Sequence, residues 1–416
     1  MRLGLRLRLL GVAATGAVVG SVAMLGLQDE DISVTPGTDR SVAPAVDPLP
    51  TKTPTPTEGL VLAWTPGGLP PGLAAAVAAA PMVESVTVVR GDPVELTASA
   101  GAEGKPVGSA ADGMVIPLDA ISVDPATYPA TVPASARQLF AGLHDDEVVL
   151  GATSARLRGI GAGGTLTLAG GRALTVAGVV EDVAVGGAEV AFTHEGGAAS
   201  GVVTERSLLV TYDGERAAVE DAVRGLLAPA AAVRFRAPGE TPFLRSSDAV
   251  LPQALVKETF GEFAYRPTGD GQGDEQGAGR DGQGAGRDVE IDPAWEAANI
   301  VNADVPLLGR VRCHRLVVPL LIGAMDELVR DGLAGLVSPA EFDGCWDPRL
   351  VKAEGALSHH AWGAAFDLGY GDNPTGLASG QDPRLVAVLA RWGFTWGGPW
   401  LVPDPAHFEF LATPPA

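Results

Sequence analysis

Cysteine and basic side chains are scarce in this sequence of 416 residues. The two cysteines, Cys313 and Cys345, lie outside any CxxC motif, so the sequence does not support thiol redox catalysis. Lysine and arginine number 29 against 50 acidic residues, which gives a formal net charge of −21. That balance argues against a basic face for nucleic acid or anionic lipid. The sequence therefore predicts no nucleic-acid partner.

Long apolar runs are also rare, and the clearest one follows a basic start at Arg2, Arg6 and Arg8. Residues 9–27 would span roughly 28 Å as a helix, enough to cross a bilayer core. Residues 1–33 are therefore predicted to be an anchor or a cleaved signal, with the arginines kept inside. Either alternative predicts an extracytoplasmic protein, anchored in the first case and secreted in the second. An exported chain with two thiols favours one disulfide, and a reduced buried pair is the alternative.

The remaining chain predicts two folded regions separated by polar, flexible stretches. Residues 34–58 carry Pro, Thr and Asp with almost no large apolar side chain, which is typical of an extended linker. A second stretch, 266–288, repeats the six residues Gln-Gly-Ala-Gly-Arg-Asp and predicts a flexible loop. The predicted domains are residues 59–247 and residues 248–416, and hydrophobic content of 46% suffices for both cores.

The first region has the periodicity of an α+β domain with a β-rich insertion. Helices are predicted at 70–80 and 217–227, and strands at 85–89, 147–150, 165–168, 174–180, 189–192, 207–212 and 232–235. The strand pattern of residues 146–180 resembles the extracytoplasmic core domain of MacB- and FtsX-type membrane proteins. That resemblance implies a module that contacts a membrane or envelope protein through residues 60–247, and His144 and His194 are isolated there.

The second region also predicts an α+β fold, with a small antiparallel sheet. Apolar residues at helical spacing predict a core helix over 317–333 and a shorter helix over 385–392. A Gly/aromatic turn at 394–398 leads to strand material at Leu401 and at 408–411.

Two short motifs near the carboxyl end carry side chains suited to a metal. His360 and Asp367 belong to the first, and Asp404 and His407 to the second. Two imidazoles and one carboxylate leave an open fourth position on zinc, as in hydrolytic sites. Asp404 would then take a proton from the attacking water, and Glu409 would orient His407.

The local geometry expected around these residues is extended. Ser358 and His360 would share one face of a strand, and Asp367 would lie on a second strand after a turn at residues 361–362. His359 would then face away from the metal. The HExxH helix of other zinc proteases is absent, so that class is excluded.

The motifs Ser358-x-His360-x-x-Gly-x-Ala-x-Asp367 and Asp404-x-x-His407-Phe-Glu resemble VanY-type D-alanyl-D-alanine carboxypeptidases. L-alanyl-D-glutamate endolysins share that fold. The resemblance implies that His360, Asp367 and His407 bind Zn²⁺ and that Asp404 is the catalytic base, although many relatives carry Glu there. It further implies that Arg349 binds the substrate carboxylate or stabilises the oxyanion. Ser358 would hydrogen-bond substrate, orient a ligand or serve the structure alone.

The sequence therefore predicts an exported zinc peptidase that cleaves peptidoglycan stem peptides, most simply as a D-alanyl-D-alanine carboxypeptidase. The alternatives are L-alanyl-D-glutamate endopeptidase activity and a zinc-stabilised cell-wall binding or regulatory module without turnover.

Overall fold

The computed structural model describes residues 59–110, 113–268, 288–351 and 355–413. The predicted anchor or signal (1–33), the linker (34–58) and most of the loop at 266–288 lie outside these ranges. Within the ranges, no helix has both the length and the apolar character needed to span a bilayer.

The first region is built on ten strands and five α-helices, counted over the described residues. The strands are β1 (Leu60–Trp64), β2 (Val83–Ala100), β3 (Pro106–Ser109), β4 (Ile116–Val123), β5 (Glu147–Gly151), β6 (Thr165–Leu168), β7 (Ala173–Val180), β8 (Val190–Thr193), β9 (Glu205–Tyr212) and β10 (Arg234–Arg236). The helices are α1 (Leu73–Ala78), α2 (Ala134–Ala141), α3 (Ala152–Arg158), α4 (His194–Ala198) and α5 (Arg216–Leu226).

The ten strands form one sheet. Nine of them follow the order β10-β1-β9-β2-β4-β8-β5-β7-β6, and β3 lies off this path. β3 pairs with β2, and β2 pairs with β6 as well, so the pairings from β2 to β6 close into a ring. The helices α1 and α5 cover the β1–β9 end through Leu73, Val77, Val219 and Val223. Helices therefore pack on a sheet in this region, and several strands are inserted between β2 and β9 in the sequence. This arrangement confirms the predicted α+β fold with a β-rich insertion.

The second region has smaller sheets and longer helices. The helices are α6 (Gln253–Phe260), α7 (Pro293–Asn299), α8 (Val318–Arg330) and α9 (Pro383–Arg391). The strands are β11 (Tyr265–Pro267), β12 (Val289–Ile291), β13 (Ile300–Val305), β14 (Gly309–His314), β15 (Ala365–Asp367), β16 (Phe394–Trp396) and β17 (His407–Phe410). β15, β17 and β16 form an antiparallel sheet in that order.

Helix α8 is the centre of the second core. Its residues Leu320, Leu321, Ala324 and Leu328 are buried, as their spacing predicted. Cys313 at the end of β14 and Cys345 form a disulfide, so the predicted pairing is confirmed and the reduced alternative is not.

Two local predictions are wrong. The strand predicted at Ser358–His360 is absent. A turn of 3₁₀ helix over residues 359–362 includes the predicted turn at 361–362 and begins two residues earlier, because Ser358 Oγ accepts the N–H of His360 and caps it. Gly363 ends the turn with φ 61°, and a Cβ there would lie 2.6 Å from the nitrogen of His314. Leu401 lies in a bend, not in a strand.

The two regions are joined by a buried ionic network. Glu189, just before β8, is fully buried, and both of its carboxylate oxygens lie 3.0 Å from Nζ of Lys257 on α6. Arg158 Nη2 donates to the same carboxylate over 2.9 Å and Gln253 Nε2 over 2.7 Å. Glu262 accepts a second bond from Arg158. Charges buried this deeply require such partners, and α6 supplies two of them to the first region.

A second junction lies at Asp248, which directly follows the predicted boundary between the domains. Its carboxylate accepts from Arg234 and Arg236 of β10 and from the backbone N–H of Leu401. Arg234 also donates to the carbonyl of Pro399 over 2.8 Å. The edge strand of the first region therefore holds the loop that leads to β17. The boundary at 247/248 itself stays a prediction.

Candidate metal centre

Strand pairing brings the two carboxyl-terminal motifs together. β15 and β17 are antiparallel, and their register places Asp367 directly opposite His407. The 3₁₀ turn before β15 presents His360 to the same side. The three residues are buried, with 9% or less of their surface exposed.

The ligand atoms of these three side chains converge. His407 Nδ1 lies 3.0 Å from Asp367 Oδ1 and 3.3 Å from His360 Nε2. His360 Nε2 lies 3.4 Å from Asp367 Oδ2. One ligand atom from each of these three described residues lies within 4.8 Å of the other two, which is close enough for all three to bind one metal ion.

The tautomer of His360 follows from its backbone contact. Nδ1 lies 3.1 Å from the carbonyl oxygen of Cys345, which can only accept, so Nδ1 carries the hydrogen. Nε2 is therefore the nitrogen that faces the Asp367 carboxylate. It can donate a proton to that carboxylate, or offer its lone pair to a cation bound between the two side chains.

His407 is oriented by Glu409 in a similar way. Glu409 Oε2 lies 3.5 Å from His407 Nε2 and 2.7 Å from His359 Nδ1, while Oε1 accepts the N–H of Val250. With the hydrogen on Nε2 facing Glu409, Nδ1 of His407 is the nitrogen that can bind a metal ion beside Asp367 and His360. His359 is turned towards Glu409, as expected of a residue outside the ligand set.

The charges of the cluster suit a cation. Burial alone would raise the pKa of Asp367, but His360 and His407 hold it well below its usual range. Burial alone would lower the pKa of His407, but hydrogen bonds with Asp367 and Glu409 raise it to about 10. The pKa of Glu409 is lowered by His359 and His407 despite burial. A metal would therefore displace one proton from His407 and meet two ionised carboxylates nearby. Imidazole nitrogens and a carboxylate are the donor set that zinc accepts, so these residues fit the predicted ion.

Asp404 lies beside this cluster, in the turn that enters β17. Burial raises the pKa of its carboxyl, although His407 and the hydrogen bond from Thr375 oppose the effect. Thr375 Oγ1 donates to Asp404 Oδ1 over 2.9 Å. Gly397 packs its backbone against this turn. A Cβ at residue 397 would lie 2.6 Å from the carbonyl oxygen of Asp404, so the close packing requires glycine. Sequence reasoning missed Thr375, since nothing in the pattern around residue 375 points to a partner 29 residues away.

The predicted substrate residues lie beside His360, but no described contact assigns their role. Arg349 Nε donates to Asp347 over 2.8 Å, and the backbone N–H of Asp347 donates to the carbonyl of His360. The carbonyl of Arg349 accepts the N–H of Ser358. Ser358 is occupied as the cap of the 3₁₀ turn, which supports the structural alternative for its hydroxyl. Substrate binding by Arg349 and Ser358 stays a prediction.

The chain resembles solved structures at low identity. It is similar to the periplasmic region of MacB from Actinobacillus actinomycetemcomitans, with 14% identity, 44% of this chain and 90% of that chain covered, and a TM-score of 0.30. It is also similar to the extracellular domain of the noncanonic ABC-type transporter YknZ from Gram-positive bacteria, with 8% identity, 43% and 98% covered, and a TM-score of 0.29. No curated protein matches the chain.

The second region matches a family model. Residues 352–410 match the model described as D-alanyl-D-alanine carboxypeptidase, and that range contains His360, Asp367, Asp404 and His407. The family resemblance predicted from the two motifs is thereby confirmed for the carboxyl-terminal segment of the chain.

Proposed function

We propose that the chain is a zinc-dependent peptidase that hydrolyses peptidoglycan stem peptides, most simply as a D-alanyl-D-alanine carboxypeptidase. One observation carries this proposal. His360 Nε2, Asp367 and His407 Nδ1 converge beside a buried carboxyl, Asp404, inside the segment that matches the carboxypeptidase family model.

His360, Asp367 and His407 would hold the zinc ion, which when bound supplies Lewis acidity to the scissile carbonyl and to the attacking water. Asp404 accepts a proton from that water, since burial gives its carboxylate a higher proton affinity than an exposed aspartate has. Thr375 donates to Oδ1 of Asp404, so Oδ2 is the oxygen proposed to accept the proton. The same carboxyl then returns the proton to the leaving amine.

Arg349 is proposed to bind the carboxylate at the end of the peptide, because a guanidinium can form two parallel hydrogen bonds to such a group. Its backbone is tied to Ser358, and Asp347 beside it is tied to His360, which supports a position close to the reacting bond.

The disulfide between Cys313 and Cys345 supports an extracytoplasmic location, because disulfides persist in oxidising compartments. Contact of residues 60–247 with a membrane or envelope protein remains part of the proposal, and a pulldown with that region as bait would test it.

The test is hydrolysis of defined stem peptides followed by mass spectrometry. The zinc-loaded full-length protein should release D-alanine from a peptide ending in D-Ala-D-Ala, and chelation should stop this until zinc is returned. Cleavage after L-Ala instead would assign the L-alanyl-D-glutamate endopeptidase. Retention of uncut peptidoglycan by zinc-loaded protein would assign a binding module and overturn the catalytic proposal.

A further inference from the structure

A polar cleft lies in the first region, away from the metal centre. It is bounded by β2, β4 and β9 on one side and by residues 244–247 on the other, with Ala356 at one edge. Its volume is about 100 Å³. None of its lining residues belongs to the metal centre.

The cleft gathers basic side chains in a strongly acidic protein. Arg90, Arg206 and Arg245 line it, together with the carboxylates of Asp92 and Asp119. Glu205 lies 3.7 Å from Arg90, so three guanidinium groups face three carboxylates and their formal charges cancel. The chain as a whole carries −21, so this neutral cleft repels anions less than the surrounding surface does.

One of the three arginines is committed to the fold. Arg206 donates from Nε to the carbonyl of Gly91 over 2.7 Å and from Nη2 to Asp92 over 3.1 Å. Asp92 also accepts the backbone N–H groups of Val203 and Thr204. This arginine and Asp92 therefore neutralise each other and shape the wall of the cleft.

Each of the other two arginines has a buried donor that the protein does not satisfy. Arg245 Nη1 and Arg90 Nε are shielded from solvent and have no hydrogen-bond partner in the structure. Arg90 Nη2 comes only within 3.7 Å of Glu205, whose side chain is 40% exposed. Buried donors without an acceptor are uncommon in folded proteins, and a bound anion would satisfy both of these.

We propose that this cleft binds a small oxyanion, a carboxylate or a phosphate, between Arg90 and Arg245. Both anions are planar or tetrahedral groups whose oxygens match the fork of a guanidinium, and neither requires the zinc centre. The carboxylate would come from the end of a peptide, and the phosphate from a free or esterified phosphate group.

Isothermal titration calorimetry of the full-length protein at constant ionic strength tests the proposal. The probes are inorganic phosphate, an N-acetylated dipeptide with a free carboxyl end, and the same dipeptide as its amide. Saturable binding of one equivalent of phosphate or of the dipeptide acid is expected, and the preferred probe identifies the source of the anion. The amide should bind at least about tenfold more weakly than the acid, because it lacks the charge-assisted bonds.

Variants locate the binding to the cleft. Arg245→Gln and Arg90→Gln should each weaken binding at least about tenfold. Arg245→Lys keeps the charge but loses the planar fork, so its affinity for the anion should lie between those of the parent and of Arg245→Gln. Arg330→Gln changes an exposed arginine on α8, and His360→Ala changes the metal centre; both should bind the anion as the parent does. Unchanged urea midpoints would show that the arginine variants are folded.

Two results would overturn the proposal. One is the absence of saturable binding of phosphate and of the dipeptide acid at millimolar concentration. The other is binding that survives Arg245→Gln and Arg90→Gln but disappears in His360→Ala, which would place the anion at the metal centre. Neither result depends on peptidase activity, so the proposed function is tested separately.

Discussion

Thr375 Oγ1 donates a hydrogen bond to Asp404 Oδ1 over 2.9 Å and so fixes one oxygen of the proposed base. The contact joins the loop after β15 to the turn before β17. It therefore makes a residue outside both sequence motifs a positioning residue for the reaction.

Removing this hydroxyl should slow turnover. Thr375→Val keeps the shape of the side chain but loses a hydrogen bond to a charged group, worth roughly 1.5–3 kcal/mol, which corresponds to a roughly 10–100-fold lower kcat. KM should change little, because the substrate gains nothing from this contact before the reaction. Thr375→Ser retains the hydroxyl and should restore most of the rate. Equal rates in the Val variant and the parent would contradict the positioning role.

Asp404→Asn should abolish most of the hydrolysis while the metal stays bound. The amide cannot accept the proton of water, and loss of a general base costs about 10²–10⁴-fold in rate. Steady-state hydrolysis of a D-Ala-D-Ala peptide measures the rate, and elemental analysis measures bound zinc. Asp372→Asn, in the exposed part of the loop after β15, is the matched control and should remain active. An Asp404→Asn protein that lost its zinc would instead indicate a ligand role.

Glu409→Gln should weaken zinc binding without unfolding the protein. The carboxylate faces His407 Nε2 at 3.5 Å, and loss of such a partner typically lowers metal affinity about 10–100-fold. Competition with a chromogenic chelator measures the affinity. Glu290→Gln, on an exposed edge of β12, should bind zinc as the parent does. The same affinity in both variants would show that Glu409 serves only His359 and the backbone of Val250.

His314 should make the fold sensitive to acid. Its Nε2 donates to the carbonyl of Phe260, its Nδ1 accepts the N–H of Leu316, and burial together with Arg315 lowers its pKa to about 4. The pKa in the unfolded chain is about 6.5, so the unfolded state binds more protons between these values. The free energy of unfolding should therefore fall by about 3 kcal/mol as the pH drops from 6.5 to 4.

His314→Gln isolates this contribution, because the carboxylates titrate alike in both proteins. Urea unfolding at several pH values should show the stability difference between parent and variant shrinking as the pH falls. A difference that stays constant from pH 7 to pH 4 would mean that the imidazole is not neutral in the fold.

Lys257→Met should destabilise the junction between the two regions. The change leaves the Glu189 carboxylate buried with one cation fewer, and breaking a buried pair typically costs about 3–5 kcal/mol. Lys105→Met, an exposed lysine, provides the control. Urea unfolding of the parent and the two variants measures the effect. A decrease of less than about 1 kcal/mol in the free energy of unfolding of Lys257→Met would show that Arg158 and Gln253 alone satisfy Glu189.

Periodic segments were predictable from the sequence, because their burial pattern is local. Helix α8 was predicted over 317–333 and is found at Val318–Arg330, and β9 was predicted over 207–212 and is found at Glu205–Tyr212. The residues of the two motifs were also predictable, since their types and order are distinctive.

Features that depend on distant contacts were not predictable. The strand expected at 85–89 continues as β2 to Ala100, although Gly91, Asp92 and Pro93 indicate a turn. Arg206 and the N–H groups of residues 203–204 hold that stretch extended. The turn was predicted at residues 361–362 but begins at His359, because alternation in sequence does not reveal the cap that Ser358 provides.

The contacts of Asp248 bear on how the protein can be dissected in the laboratory. A fragment beginning at residue 248 would lack Arg234 and Arg236, so the loop that carries Asp404 would lose the bond from Arg234 to Pro399. Asp248, which accepts the N–H of Leu401, would lose both of its guanidinium partners. Failure of such a fragment to cut a peptide would say nothing about the chemistry of its own side chains. A truncation that keeps the chain from residue 59 onward retains both junctions and is the informative one to express.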